Sequence, residues 1–155
     1  MSAAAQSVFK TLRQLPSLTE FSDELLQLMA TVGEEHSKPS GSVIFSEGER
    51  HSRIYLVSSG SIRLDMKTAK CGRQTILSIG AGDFLAWSAL IGDGVMTSTA
   101  VAAGNVELVA LDTESLQQLL QQQHELGYLV MRALAKSLSR RLLATRLQLL
   151  DLYHS

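Results

Sequence analysis

Between Gly82 and Ala103 the chain reads GDFLAWSALIGDGVMTSTAVAA, a run whose residue types suit the binding of an anion by neutral donors. FLAWSALI is apolar and long enough for one or two helical turns, and a helix start presents unpaired backbone N–H groups that favour negative charge. GDG breaks that helix, and MTSTAV then enters a strand with three consecutive hydroxyls at Thr97, Ser98 and Thr99. Helix start, turn and strand together form the geometry of a phosphate cradle. No Lys or Arg occurs at any position from Gln74 to Met131, so this segment offers an anion no fixed positive charge.

Other chemistries find less support. Cys71 is the only cysteine, which excludes an internal disulfide or a four-cysteine metal cluster. His36, His51, His124 and His154 show no metal-ligand spacing and read as surface or capping histidines. Ser88 in WSAL lacks the Gly-x-Ser-x-Gly turn of a hydrolase, and no carboxylate pair is placed for acid–base work. No catalytic residue, resident metal or enzymatic activity is expected. A formal net charge of −1 gives no global attraction to nucleic acid or an anionic membrane. The apolar runs fall short of the ~18–20 residues that span a bilayer. MSAAAQSVFKTLRQL lacks the basic flank of a signal peptide, so a cytoplasmic location is expected.

The elements that would position this segment follow from periodicity. Ser7–Leu15 has Val8, Phe9, Leu12 and Leu15 at helical spacing and ends at Pro16. Ser22 is a natural N-cap, followed by Asp23 and Glu24 and by the stripe Leu25, Leu26, Leu28 and Met29. From Gly33 the period becomes two. SVIFSEGE, RIYLVSSG, SIRLDMKT, QTILSIGAG, VMTSTAVAA and NVELVALD are short β-rich runs punctuated by Gly, Ser or Asn. Seven or eight such strands predict an antiparallel sandwich or jelly roll. At Asp112 the helical period returns: DTESLQQLLQQQ is a short helix capped by Asp112 or Thr113. Gly127 marks a bend near the start of a second helix that continues to about Tyr153.

In that long helix Tyr128, Met131, Ala135, Leu138, Leu142, Thr145, Leu149 and Leu152 alternate by three and four, an a/d seam. A second stripe of Leu129, Leu134, Leu143, Leu147 and Leu150 calls for a second packing partner. Symmetric dimerisation through the seam is expected. Thr145 is its polar member, placed either to contact a ligand or simply to bond the preceding turn.

Taken in order, FSEGE, IYLVSSGSIRL, GAGDFLAWSAL, TSTAVAAGNVELVALD and the long helix resemble a cyclic nucleotide-binding domain. The family is that of the catabolite activator protein and the protein kinase A regulatory subunit, and the likeness is to single-domain bacterial members. The resemblance implies an α+β, mainly β fold: an eight-stranded antiparallel β-roll, or double-stranded jelly roll, with N-terminal helices and a long C-terminal helix. It makes 82–99 a phosphate-binding cassette. The family cassette carries Gly-Glu for the ribose and an arginine for the cyclic phosphate. Here those positions are Ala86, Trp87 and Thr97, so the cassette is degenerate, and cyclic AMP binding through the usual glutamate and arginine is not expected. Ser88, Ala89, Leu90 and Ser98 keep their places. Thr145 falls on a threonine of the family's long helix that touches the purine, and Arg146 on its neighbour.

The expected organisation is one domain over 1–155: N-terminal helices at 1–32, the β-roll at 33–112 and C-terminal helices at 113–155. The ligand-binding candidates are Ala86, Trp87, Ser88, Ala89, Leu90, Thr97, Ser98, Thr145 and Arg146, with Trp87 open to stacking on a ligand or filling the pocket as core. Two functional readings stand. One is a regulatory module sensing a cyclic nucleotide or another small anion, in which ligand repositions a dimerising helix and signals to a separate effector protein. The other is a ligand-independent dimerisation module. The chain reaches Ser155 without a recognition-helix candidate, so no nucleic acid contact by this chain alone is expected.

Overall fold

The computed structural model describes residues 1–154; the His154 side chain, read above as a surface histidine, and Ser155 lie outside the described residues. Helix α1 (Ala3–Arg13) and helix α2 (Asp23–Ala30) flank a 3-10 turn at Pro16–Leu18. Strands β1 (Gly33–Lys38), β2 (Val43–Phe45), β3 (Arg53–Ser59), β4 (Ile62–Thr68), β5 (Gly72–Ile79) and β6 (Phe84–Leu85) follow. After the one-turn helix α3 (Ser88–Ile91) come β7 (Thr99–Ala102) and β8 (Val106–Asp112), then α4 (Thr113–Gln122) and α5 (His124–His154). The strands form two four-stranded antiparallel sheets, β1-β8-β3-β6 and β2-β7-β4-β5. This is the expected eight-stranded roll between N-terminal helices and a long C-terminal one.

Two cores explain why IYLV and VELVALD read as nearly continuous apolar runs. Tyr55 and Val57 of β3 and Leu108 and Ala110 of β8 point between the sheets, meeting Phe45, Ile62, Leu64 and Ala100. The alternate residues Ile54, Leu56, Val109 and Leu111 point outward and are covered by Leu12, Leu26, Leu116 and Val130 of the helices. A strand buried on both faces loses the alternation that marks a half-exposed one. β6 divides in the same way, with Phe84 in the helical core and Leu85 between the sheets.

Three boundaries differ from expectation. α1 begins at Ala3 rather than Ser7, because Ser2 accepts the Ala5 N–H at 3.1 Å and the alanines that follow favour helix. β1 is too polar (GEEHSK) to read as a strand; it pairs with β8 alone, from Gly33 against Leu111 to Lys38 against Val106. Phe84–Leu85 adds a short strand where helix was expected. Asp112 is the cap of α4, accepting from the Ser115 N–H at 2.9 Å.

The break between the last two helices falls at Gln123, ahead of Gly127. Gly127 lies inside α5, where a Cβ would sit 2.9 Å from the Leu120 carbonyl oxygen. Its role is to let α5 leave close against the end of α4. The first half of α5 buries Leu126, Val130, Ala133 and Leu134. Ser137, also buried, accepts the Phe84 N–H at 3.4 Å and ties the helix to β6. Beyond it Leu142, Leu143, Leu147, Leu149 and Leu150 are exposed.

Candidate ligand-binding pocket

A cavity of about 190 Å³ lies where the sheet β2-β7-β4-β5 meets the segment after β6 and the middle of α5. Phe45, Leu64, Met66, Ile76 and Leu77 form its sheet wall. Leu85, Ala86, Trp87 and Ser88 form a second wall, Met96, Thr97 and Ser98 a third, and Arg141 and Thr145 of α5 close it. Six of the nine ligand candidates therefore surround one space: Ala86, Trp87, Ser88, Thr97, Ser98 and Thr145. Ala89 packs into the inter-sheet core and Leu90 into the helical core. Arg146 does not line the cavity either; it borders a shallow groove with Lys136, Ser139 and Leu142.

The second wall is built by a tight turn. Ala86 has φ +62°, the left-handed region, and is the only non-glycine with positive φ among the described residues. That region is one a glycine adopts without strain. The carbonyls of Ala86 and Trp87 accept the Ala89 and Leu90 N–H groups, each at 3.0 Å, which closes the single turn of α3. The Ser88 hydroxyl donates to Asp93 Oδ1 at 3.3 Å, and the Val95 N–H donates to the same oxygen at 3.0 Å. The Val95 N–H first, with the Ser88 hydroxyl, holds the Asp93 carboxyl below the usual carboxylate range. The Thr145 hydroxyl donates to the Arg141 carbonyl at 2.8 Å, the helix-threonine bond foreseen as one of its two roles. Thr97 and Ser98 are the remaining hydroxyls of the lining. Trp87 packs on the helical core and leaves the cavity open beside it.

Arg141 supplies the positive charge absent from the loop. Its Nε and Nη2 are fully enclosed by protein and have no hydrogen-bond partner. Burial pushes the guanidinium pKa down, opposed by the nearby Asp83 carboxylate. That carboxylate is engaged by Arg140, at 3.3 Å. An enclosed, unpaired charged donor costs several kcal/mol unless something compensates it. The sequence held two signals for this residue: it stands one helical turn before Thr145, on the same face, and an uncharged cradle needs its cation from elsewhere. Among the described residues, no group of three or more His, Cys, Asp or Glu is placed to hold a metal ion. No helix of the described residues is long and apolar enough to cross a membrane.

This frame is shared. The family described as the cyclic nucleotide-binding domain matches residues 35–123, more than half of the chain. The chain belongs to that family. It is 31% identical over 103 residues to the CRP-like cAMP-activated global transcriptional regulator of Mycobacterium tuberculosis, covering 66% of this chain and 46% of the regulator. Among solved structures, a cyclic nucleotide-binding domain from Methylobacillus flagellatus superposes with a TM-score of 0.81 at 20% identity, covering 95% of this chain and 83% of that one. The Thermus thermophilus catabolite activator protein superposes with a TM-score of 0.71 at 29% identity, covering 89% of this chain and 63% of that one. The chain spans about half the length of the curated relatives it matches.

Proposed function

We propose that this chain is a regulatory module that senses a small anion in the pocket closed by α5 and reports occupancy through that helix. The carrying observation is Arg141: a guanidinium edge enclosed in the pocket wall, without a partner, on the same helix as the outward seam. An anion pairing with it favours the docked position of α5 over any position that removes Arg141 from the pocket. Only such differential affinity lets a ligand shift a conformational equilibrium. The outward seam, with Met131, Leu142, Leu149 and Leu152 exposed, is then the surface by which two copies pair and by which a separate effector protein reads the helix.

Cyclic nucleotides are the ligand class of the family and of cAMP-activated relatives, but this pocket treats them differently. With Trp87 and Thr97 at the glutamate and arginine positions, a loss of about 3 kcal/mol of phosphate pairing weakens binding roughly a hundredfold. Cyclic AMP is expected to bind weakly. The test is calorimetric titration with cyclic AMP and cyclic GMP of the native chain, of Arg141→Leu and of Trp87→Glu/Thr97→Arg. Weak binding that vanishes in Arg141→Leu and strengthens in the double variant supports the reading. Nanomolar binding unaffected by Arg141→Leu contradicts it.

One observation favours a ligand-independent interaction module. Ser137 and Arg140 tie α5 to Phe84 and Asp83 by contacts made within the chain itself. On that reading every small-anion titration is flat while dimerisation persists.

A further inference from the structure

We infer that the pocket is built for a small carboxylic acid with an apolar body, a ligand class set by the shape and polarity of this cavity. This rests on the reading of the pocket as a ligand site. The two unpartnered nitrogens of Arg141, Nε and Nη2, lie on one edge of the guanidinium. Their N–H bonds run parallel, at the spacing of the two oxygens of a single carboxylate. The cavity lining contains no Asp or Glu and no second cation, so it neutralises one negative charge.

The remaining surface is apolar. Phe45, Leu64, Ile76, Leu77 and Met96 face the same space, with Trp87 as an aromatic wall. A ribose and a purine bring several hydroxyl, ring-nitrogen and amino groups, and each needs a partner when removed from water. Ser88 donates to Asp93 and Thr145 to its own helix, which leaves Thr97 and Ser98 as the lining's uncommitted side-chain hydroxyl donors. Size points the same way: about 190 Å³ is below the roughly 300 Å³ at which drug-sized ligand pockets begin. A phenyl or short alkyl body suits the apolar wall, and a carboxylate suits the edge of Arg141 once that edge, enclosed in the wall, turns to the cavity.

The test is calorimetry and thermal shift on the full chain with phenylacetate and hexanoate. The controls are neutral phenylacetamide, acetate, inorganic phosphate and cyclic AMP, and the variants are Arg141→Lys and Arg141→Leu. Phenylacetate or hexanoate is expected to bind at least tenfold more tightly than phenylacetamide, acetate, phosphate and cyclic AMP. Arg141→Lys, which keeps the charge and loses the fork, is expected to weaken that binding at least tenfold, and Arg141→Leu to abolish it. Equal binding of phenylacetate and phenylacetamide, or binding unchanged in Arg141→Lys, overturns the carboxylate assignment. Tighter binding of cyclic AMP or phosphate than of either acid overturns the inference and leaves the sensing role standing. A flat response to every probe overturns both.

Discussion

Arg141 sets function against stability at a single residue. Its enclosed guanidinium edge lacks a partner within the chain, and replacing such a charge by an apolar side chain of similar reach is often stabilising. Arg141→Leu is therefore expected to raise the unfolding free energy of the free protein, by about 1 kcal/mol, while removing ligand response. Chemical denaturation reads this directly; a loss of stability would show that the guanidinium is compensated. Ala86 makes a second residue-scale prediction. At φ +62°, Ala86→Gly is expected to change stability by less than about 1 kcal/mol, because relief of strain and loss of a buried methyl oppose each other. Ala86→Val, with a β-branched side chain at that φ, is expected to cost about 2 kcal/mol or more. Urea midpoints of the two variants check both values. Ala86, Trp87 and Thr97 could be placed from sequence because they sit within a short segment with recognisable glycines and strand residues. Arg141 could not, because its place in the pocket depends on how α5 crosses the roll, a tertiary fact that helical spacing only hints at.

At the scale of elements, the β4–β5 hairpin carries a buried charge network. A register shift between Leu64 and Asp65 accompanies burial of the Asp65 carboxylate, which is 4% exposed. It accepts from Arg63 Nε at 3.1 Å and from the Thr75 hydroxyl at 2.9 Å, and pairs with Arg73 at 3.2 Å. Burial alone would raise its pKa, but Thr75, Arg63 and Arg73 together hold it below the usual carboxylate value. A folded-state pKa lower than the unfolded one gives stability that is present above the unfolded pKa. That stability is lost as pH falls through the folded one. Thermal stability is therefore expected to fall below about pH 4. Asp65→Asn is expected to flatten this acid limb and to cost about 2 kcal/mol at neutral pH; an unaltered acid limb would exclude Asp65 as its source. The alternation of Ile62, Leu64 and Met66 with Arg63, Asp65 and Lys67 would by itself put Asp65 on the exposed face, and strict alternation holds only where no register shift intervenes. β3 and β8 were legible because their apolar runs are long. β1 was not, since an edge strand covered by a polar helix surface needs few apolar side chains: Glu35 is bonded by the Ser7 hydroxyl at 2.7 Å.

At the scale of the molecule, the decisive element is α5, whose two halves have different surroundings. The first half packs on the roll. The second presents Leu142, Leu143, Leu147, Leu149 and Leu150, each more than half exposed, an apolar stretch of the kind that marks an interaction surface. Of the second stripe, Leu134 is buried, whereas Leu143, Leu147 and Leu150 find no cover within the chain. Leu142→Asp is expected to convert a dimer to monomer in analytical sedimentation with the fold intact, since that side chain is 54% exposed in the single chain. An unchanged mass would remove the seam from the account.

The central claim is that an anion pairs with Arg141 and so holds α5 on the pocket. The most direct measurement is the NMR resonance of the Arg141 side-chain Nε–H, assigned with Arg141→Lys, followed during addition of phenylacetate and of cyclic AMP. The account predicts a saturable downfield shift and slowed exchange for that one arginine, with protection of α5 backbone amides rising in step. A saturating ligand response elsewhere in the spectrum that leaves the Arg141 resonance unmoved would contradict it.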